Sequence, residues 1–203
     1  MIGSSTRSRL FELRRDRSAA RHSAELLDRK REVLLREIAR RGRLRNELRA
    51  VVAAAYAEAR LRLGIARVEL GMNGIEAAAL AQPARQPIDR RDISVMGVRI
   101  PQLSTNVAPY RAFYGAAATT ESLDEAGAAF TALIPQLVAL AQEEIAVARL
   151  VVAMRKTTKL VNALQKIVLP RIEANIRAIV DGIEEDERDE GVRRRVGRVA
   201  DRR

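Results

Sequence analysis

The sequence contains no cysteine and no tryptophan, and its aromatic residues are limited to three tyrosines and three phenylalanines. Without cysteine the chain forms no disulfide, which fits a reducing compartment. With so few large aromatic side chains, burial has to come from long seams of leucine, isoleucine, valine and alanine rather than from a thick core. This composition is typical of proteins built from long helices.

The usual signs of catalysis and metal binding are also missing. His22 is the only histidine, so the common zinc ligand sets cannot form, and we expect it on a helix surface. The sequence has no phosphate-binding loop of the form G-x-x-x-x-G-K-[ST] and no dinucleotide fingerprint. Carboxylates such as Glu143 and Glu144 lie in a helical pattern without convergent partners. The sequence therefore predicts no active site, no metal site and no cofactor.

Long apolar runs are absent as well. No stretch approaches the roughly 18 apolar residues that a membrane helix requires. The N-terminal sequence MIGSSTRSRLFELRRDR is too charged for the apolar region of a secretory signal. We therefore expect a cytoplasmic protein.

The formal net charge is +11, which raises the possibility of an anionic partner such as nucleic acid or a membrane surface. Arginine outnumbers lysine about eightfold, and the basic residues are interleaved with glutamate and aspartate over much of the chain. Interleaved charge is typical of a solvated helix face. The alternative function is a basic coiled-coil protein that binds nucleic acid, which predicts steeply salt-dependent binding to DNA.

One helical pattern extends from about residue 8 to residue 70. Alternating steps of three and four residues meet mostly apolar positions, as the seam of a coiled coil requires. These positions are Leu10, Leu13, Arg17, Ala20, Ala24, Leu27, Arg31, Leu34, Ile38, Arg41, Arg45, Leu48, Val52, Ala55 and Ala59. The arginines among them are tolerable if their stems pack and their charged heads reach water, or if the apolar stripe drifts around the helix. We expect Ser5 or Thr6 to cap the helix, the GMNG stretch at 71–74 to end it and a short helical remnant to follow at 75–81.

The middle of the chain changes character. β-Branched residues on both sides of Gly97, between Ile88 and Leu103, predict a small hairpin with Gly97 at the bend. An irregular loop is the alternative. A second long helix is expected to start near Ser122, where Ser122 and Glu125 form a capping-box pattern.

The apolar stripe of the second helix repeats with helical spacing. It consists of Leu133, Leu137, Leu140, Val147, Val151, Met154, Val161, Val168, Ile172 and Ile179. Pro135 is expected to kink or delay the first turns, and Pro170 to kink a helix that continues beyond it. The acidic stretch Glu184 to Glu190 could pair with the opposing helix or form a solvated end. Its expected partners are Arg14, Arg15, Arg17 and Arg21.

These elements predict an all-α fold, a long antiparallel two-helix coiled-coil hairpin with a small mid-chain β-hairpin and loop region at one end. Three segments follow from this arrangement. Residues 1–74 form the first shaft helix, residues 75–121 a compact middle segment or foot, and residues 122–203 the second shaft helix with its basic tail.

Three strings in the sequence resemble the signatures of the D subunit of V-type and A-type rotary ATPases. They are RHSAELLDRKRE at 21–32, ISVMGVRIPQL at 93–103 and KTTKLVNALQKIVLPRIEANIRAI at 156–179. They occur in the family's order and at nearly its spacing. The matching residues are Leu26, Leu27, Lys30 and Arg31 in the first string and Thr157, Thr158, Asn162, Ala163, Leu164 and Pro170 in the third. Departures from the family pattern are Ser23 for glycine, Asp28 for lysine and Gln165 for an acid.

The resemblance implies a central rotor stalk protein without catalysis of its own. Such a protein transmits torque between ATP turnover in a catalytic head and ion translocation in a membrane ring. The implied partners are the A and B subunits of the head, the small F subunit of the rotor and the membrane-side coupling subunit. No nucleic acid and no direct membrane insertion are expected, so the chain would associate with the membrane only through the complex.

The resemblance also implies where these partners bind. It puts the paired helix ends inside the head, where basic residues would face acidic surfaces. These residues are Arg7, Arg9, Arg14, Arg15, Arg193, Arg194 and Arg195. The mid-chain residues Val95, Met96, Gly97 and Val98 are the expected partner contact at the foot, with a purely structural turn as the alternative.

Overall fold

The structure is a computed structural model that describes residues 2–82, 88–115 and 120–200, with side chains in 7–82, 88–115 and 120–193. Helix α1 spans Ile2–Ala81, strands β1 and β2 span Ile88–Val95 and Val98–Thr105, and helix α2 spans Glu121–Ala163. A π-helical segment at Leu164–Val168 joins α2 to helix α3 at Leu169–Ala200. The predicted fold class, long helices with a small hairpin between them, is confirmed.

The chain divides into two compact units. The first unit combines Met1–Glu32 with Met154–Arg203, and the second is Val33–Ala153. Each unit therefore contains part of α1 and part of the later helical region.

Helix α1 begins earlier than expected. Ile2 is already helical, so the prediction of a cap at Ser5 or Thr6 is wrong. The interruption predicted at 71–74 is confirmed, because Gly71 has φ 71° and ψ 174°, a conformation that essentially only glycine adopts. The helix then resumes and continues to Ala81, in agreement with the short helical remnant predicted at 75–81.

The predicted seam of α1 is confirmed, because every one of its positions is buried or partly buried. Leu34 and Ala59 are completely buried. Helical spacing alone identifies this face because residues three and four apart lie on one side of a helix. Of the arginines in the seam, Arg41 does not keep its charged head in water, because its exposed fraction is only 8%.

In the first unit, ion pairs join the start of α1 to α3. Arg7 Nη2 lies 2.9 Å from Glu187 Oε1, and Arg21 Nη2 lies 2.6 Å from Glu173 Oε1. The numbering rises along α1 while it falls along α3, so the helices run antiparallel.

The acidic stretch 184–190 does meet α1, but at Arg7 rather than at the arginines expected from the sequence. Arg21 binds Glu173, which lies outside that stretch. Within the described residues, Arg14, Arg15 and Arg17 form no ion pair.

In the second unit, the later part of α1 packs antiparallel on the start of α2. Arg62 Nη1 lies 3.8 Å from Glu125 Oε2, and Ser122 Oγ donates a hydrogen bond to Glu69 Oε1 over 3.1 Å. An apolar cluster of Ala66, Ala78 and Leu123 closes this end. Ala66 and Ala78 flank the Gly71 interruption, so residues on both sides of it contribute to one core.

Helix α2 starts within one residue of the predicted position, but its predicted cap does not form. The helix begins at Glu121, and Ser122 Oγ binds Glu69 instead of serving as a cap, so the capping-box prediction is wrong. Pro135 lies inside the continuous helix and does not delay it. Most of the predicted apolar stripe is buried or partly buried, but Leu137 and Val168 are exposed.

The helix continues through Pro170, as predicted, and the structure shows how. Residues 164–168 form a π-helical turn in which the Leu169 N–H donates to the carbonyl of Leu164, five residues back. Proline has no N–H to donate to the preceding turn. The widened turn lies directly before Pro170, so the change in hydrogen bonding is absorbed there without ending the helix.

Strands β1 and β2 form an antiparallel pair in which Val95 lies opposite Val98. Met96 and Gly97 connect them with φ angles of 51° and 79°. Positive φ at both central residues is the pattern of a two-residue type I′ turn, whose twist matches that of the strands. The predicted hairpin with Gly97 at its bend is confirmed, and the alternative of an irregular loop is wrong.

Candidate functional site

The basic residues expected at the helix ends lie in the first unit. Arg7, Arg9, Arg14 and Arg15 are all exposed on α1. Two of them already have carboxylate partners, since Arg7 binds Glu187 and Arg9 binds Glu12, three residues further along. Of these four, Arg14 and Arg15 form no ion pair among the described residues.

The C-terminal members of this set are only partly covered. Arg193 is exposed, whereas the side chains of Arg194 and Arg195 lie outside the described residues. We call Arg7, Arg9, Arg14, Arg15 and Arg193 the terminal arginine patch. Exposed arginines hold carboxylate partners weakly and exchange them readily, because water and salt screen each contact.

The signature residues of the first string divide between surface and interior. Leu26 is half exposed, whereas Leu27 and Lys30 are partly buried. Arg31 is also partly buried, and its Nη2 lies 2.6 Å from Asp28 Oδ1. Only Leu26 of these four therefore offers a large apolar side chain to a partner.

The signature residues of the third string divide in the same way. Thr157 is buried, and Thr158 Oγ1 donates to the sulfur of Met154 over 3.5 Å. Ala163 and Leu164 are partly buried, whereas Asn162 and Pro170 are exposed. This string therefore maintains the helix seam on one side and leaves polar and proline positions accessible on the other.

The four residues expected at the foot lie together at the tip of the hairpin. Val95 and Val98 are partly buried, while Met96 and Gly97 are exposed. Met96 presents 43% of its surface. A flexible thioether at an exposed turn suits an apolar contact of adaptable shape.

Strand β2 attaches the hairpin to α2. The Leu103 N–H donates to Gln142 Oε1 over 2.8 Å, and Arg149 Nη1 donates to the Arg99 carbonyl over 2.9 Å. Ile100 is fully buried. Strand β1 is exposed along nearly its whole length.

A buried charge cluster links α1 to α2 in the second unit. Arg41 Nη1 donates to Glu143 Oε1 and Oε2 over 3.0 and 2.9 Å, and Arg41 Nε donates to Glu37 Oε1 over 2.7 Å. Glu143 is 4% exposed. The expectation that Glu143 lacks a convergent partner is therefore wrong. The partner lies 102 residues away in sequence, which no local pattern reveals.

Hydrogen bonds from two arginines perturb Glu37. The bond from Arg40 is the largest cause, and together with Arg41 it lowers the pKa of the Glu37 carboxyl from 4.5 to about 2. Burial opposes this change. The charged form of Glu37 is thus favoured in the folded chain.

The shifted pKa predicts an acid-sensitive contribution to stability. Because the folded pKa is below the unfolded one, the contribution is fully present above pH 4.5 and disappears as the pH falls toward 2. We expect Glu37→Gln to remove roughly 1 kcal/mol of that pH dependence, because the side chain of its main partner Arg40 is 59% exposed and water screens the pair. Urea unfolding of both chains between pH 2 and 6 measures it. Parallel stability curves for the two chains would contradict the assignment.

Sequence reasoning missed an apolar stripe on the exposed side of α1. Leu61, Ile65 and Val68 follow helical spacing and expose 67, 49 and 87% of their surfaces. Gly64 lies between them, and an added Cβ there would meet nothing within 4 Å. We call these three large residues the exposed α1 stripe. The signal available in the sequence was a second set of apolar residues with helical spacing, which lies on a different face of α1 from the seam.

The second unit also contains a groove of about 850 Å³. Its lining includes Ile88, Phe113 and Phe130 beside Tyr110 and Gly127. A side chain at position 127 would overlap the Tyr110 ring, so glycine is needed for this close approach. The groove offers a mainly apolar surface.

The Tyr110 hydroxyl is 2.6 Å from that of Tyr114, which donates to Asp124 Oδ1 over the same distance. Burial, with the bond to Asp124, raises the pKa of Tyr114 well above its usual range. Tyr114 therefore remains protonated and acts as a structural donor.

His22 is exposed on α1, as expected. In the described parts of the chain, no group of three or more His, Cys, Asp or Glu side chains is arranged to hold a metal ion. Across the same residues, no helix combines the length and apolar character needed to cross a bilayer.

Comparison with known proteins gives a consistent result over most of the chain. The family model that describes the D subunit of ATP synthase matches residues 9–197. The A-type ATP synthase D subunit of Methanopyrus kandleri is 32% identical over 190 residues, covering 93% of this chain and 82% of the relative. The V-type ATP synthase D subunit of Thermotoga neapolitana is 30% identical over 185 residues, covering 91% of each chain. That of Thermus thermophilus is 30% identical over 190 residues, covering 94% and 85%.

Proposed function

Because the chain belongs to the family of ATP synthase D subunits, we propose that it is the central rotor stalk of a V-type or A-type ATPase or ATP synthase. In this role it transmits torque between ATP turnover in the catalytic head and ion translocation in the membrane ring. It is non-catalytic, and it is cytoplasmic and associates peripherally with the membrane through the complex.

The observation that carries this proposal is the antiparallel pairing of helices in both units. Arg7–Glu187 and Arg21–Glu173 join the helices of the first unit, and Arg41–Glu143 joins those of the second. Two helices that pack together and are joined by ion pairs resist twisting better than a single helix. Resistance to twisting is the mechanical property that torque transmission requires.

The terminal arginine patch suits a surface that turns inside a head made of the A and B subunits. Apolar anchors would favour one rotational position strongly. Exposed charges that are screened and replaceable keep successive positions close in free energy. We infer that Arg14, Arg15 and Arg193 face successive acidic residues of the head as the stalk rotates.

The second unit supplies the surfaces for the other rotor components. The hairpin tip at Val95–Val98 and the exposed α1 stripe are apolar and accessible. We assign the stripe to the small F subunit of the rotor and the hairpin tip to the membrane-side coupling subunit. Both surfaces lie in a unit that excludes the terminal arginine patch, so head contacts and rotor contacts use different parts of the chain.

Nucleic-acid binding is the weaker explanation for the net charge. The relatives that match over most of the chain are named as ATP synthase subunits. Several exposed arginines are already paired with carboxylates of the chain, as in Arg9–Glu12 and Arg62–Glu58.

Charge reversal tests the proposed head contact. We expect Arg14→Glu/Arg15→Glu to lower the ratio of ATP-driven ion transport to ATP hydrolysis by roughly 2- to 10-fold, because two attractions to acidic surfaces become repulsions. Ion uptake and phosphate release are measured on the same vesicles that contain the reconstituted complex.

The matched control is Arg36→Glu/Arg43→Glu, which reverses two exposed arginines of α1 in the second unit. The control should keep the parent ratio. Equal ratios for the parent and the Arg14/Arg15 variant would reject the head contact.

A further inference from the structure

The buried pair Arg41 and Glu143 is unusual for its surroundings. The other buried side chains of the second unit are overwhelmingly apolar, and Arg41 and Glu143 are the only charged residues classed as buried among those the structure describes. Both oxygens of Glu143 accept from the Arg41 guanidinium. Both bonds come from Nη1, while Nε of the same guanidinium donates to Glu37. The planar group is therefore held from two sides, which fixes its direction as well as its distance.

The apolar residues around this pair specify the alignment of the helices only weakly. One heptad to either side of Arg41 the seam of α1 has leucine, at Leu34 and Leu48, and next to Glu143 the buried residues of α2 are Ala146 and Val147. An apolar seam that repeats similar residues with helical spacing packs acceptably in more than one alignment. Side-chain shape therefore leaves a one-heptad slip open.

The charged pair penalises that slip. Moving α1 by seven residues brings position 34 or 48 to the level of Glu143, and both are leucine. Glu143 would then be buried without a charged partner, and Arg41 would keep only Glu37, which moves with it on α1. Burying the unpaired Glu143 carboxylate is strongly unfavourable. A single buried polar pair is sufficient to select one register in helical coiled coils.

The same cluster extends to the hairpin. Gln142 Nε2 donates to Glu143 Oε1 over 3.2 Å, and Gln142 Oε1 accepts the N–H of Leu103 on β2. A chain of side-chain contacts thus runs from α1 through α2 to the backbone of the hairpin. The alignment of α1 with α2 decides which part of α1 lies level with the hairpin.

We propose that Arg41 and Glu143 form a register lock, and that Gln142 transmits the locked alignment to the β-hairpin. The lock selects one alignment of α1 against α2. Gln142 then holds β2 at a fixed level along the helix pair. In a stalk, this arrangement makes the hairpin turn with the helices instead of sliding along them.

Spin labels on the full-length chain test the lock. The native sequence has no cysteine, so Arg43→Cys and Ala128→Cys, both at exposed positions of the second unit, accept labels without side reactions. Pulsed electron paramagnetic resonance then measures the distance between α1 and α2. A slip of one heptad changes the separation along the axis by about 10 Å.

The labelled parent chain should show one narrow distance. The Arg41→Leu/Glu143→Leu variant should show a second distance, displaced by the heptad slip, while its urea midpoint stays equal to or above that of the parent. If the Arg41→Leu/Glu143→Leu variant does not fold, Arg41→Gln/Glu143→Gln tests the lock instead. It keeps polar side chains but removes the charges, and it too should show two distances. The control Arg62→Gln/Glu125→Gln, which removes an exposed pair, should keep one.

A single unchanged distance in the folded uncharged variants would overturn the lock, as would a broad distribution in the parent. Gln142→Leu separates the two parts of the proposal. It should keep one distance between the helices but increase hydrogen exchange at the Leu103 amide at least tenfold, and unchanged exchange would remove the role of Gln142. These readouts need no other protein, so failure of the lock and failure of the proposed stalk function give different results.

Discussion

Replacing Arg41 by leucine is expected to lower the free energy of unfolding by about 3–5 kcal/mol. The substitution removes both hydrogen bonds to Glu143 and leaves that carboxylate buried, with the Gln142 amide as its remaining donor among the described residues. Glu37 also loses one of its two arginine partners. The penalty comes mainly from an uncompensated buried charge rather than from lost apolar contact. Urea unfolding of the full-length chain at neutral pH measures it.

Arg40→Leu is the matched control because Arg40 is the next residue and also binds Glu37. Its side chain is 59% exposed, so the cost should stay below about 1 kcal/mol. Similar losses for the two variants would show that the buried pair with Glu143 does not contribute as described.

Introducing carboxylates into the exposed α1 stripe is expected to weaken binding of the small rotor component by about 100-fold or more. Full burial of an exposed isoleucine or valine side chain contributes about 1.5–3 kcal/mol. Because Ile65 and Val68 are only partly exposed, losing both costs about 2–4 kcal/mol, and the penalty for burying charge adds to this. Ile65→Glu/Val68→Glu makes the change at positions that are 49 and 87% exposed. The free energy of unfolding of the isolated chain should therefore change by less than about 1 kcal/mol.

Titration calorimetry with the purified F subunit measures this affinity. The control Ala50→Glu/Ala53→Glu adds the same two carboxylates at exposed positions of α1 outside the stripe. An Ile65/Val68 variant that binds within about threefold of the parent would exclude the stripe as the docking surface.

The features that the sequence predicts correctly are those controlled by local geometry. The seam from Leu10 to Ala59 follows from helical spacing, which holds regardless of what packs against it. The hairpin follows from β-branched residues around Gly97, because a two-residue turn needs residues that tolerate positive φ. The interruption at Gly71 follows from the same property of glycine.

The features that the sequence does not predict depend on partners far away in the chain. Ser122 has the sequence of a cap, yet its hydroxyl binds Glu69. In the sequence Arg41 interrupts the apolar seam of α1, whereas in the structure it pairs with the buried Glu143 of α2. Pro135 would be expected to kink or delay a helix, but it lies fourteen residues after the start of α2, and the helix continues through it. In each case a tertiary contact or an established helix outweighs the local preference.

The candidate partner surfaces show the same limit. Resemblance to a family indicated the terminal arginines and the hairpin tip. The structure shows that Arg7 and Arg9 are paired within the chain, while Arg14 and Arg15 have no ion pair among the described residues. The sequence shows a second apolar face in this part of α1, but only the burial of its residues distinguishes the exposed α1 stripe from the seam. Their exposure is what marks them as a docking surface.

The copy number of this chain in an assembled complex tests the central claim most directly. The chain is co-expressed with candidate A and B subunits of the head and the F subunit of the rotor, purified by affinity at moderate salt and weighed by native mass spectrometry. A stalk on the axis of a threefold head is present once, so the account predicts one copy per assembly. More than one copy, or no association together with tight salt-sensitive binding to DNA, would contradict it.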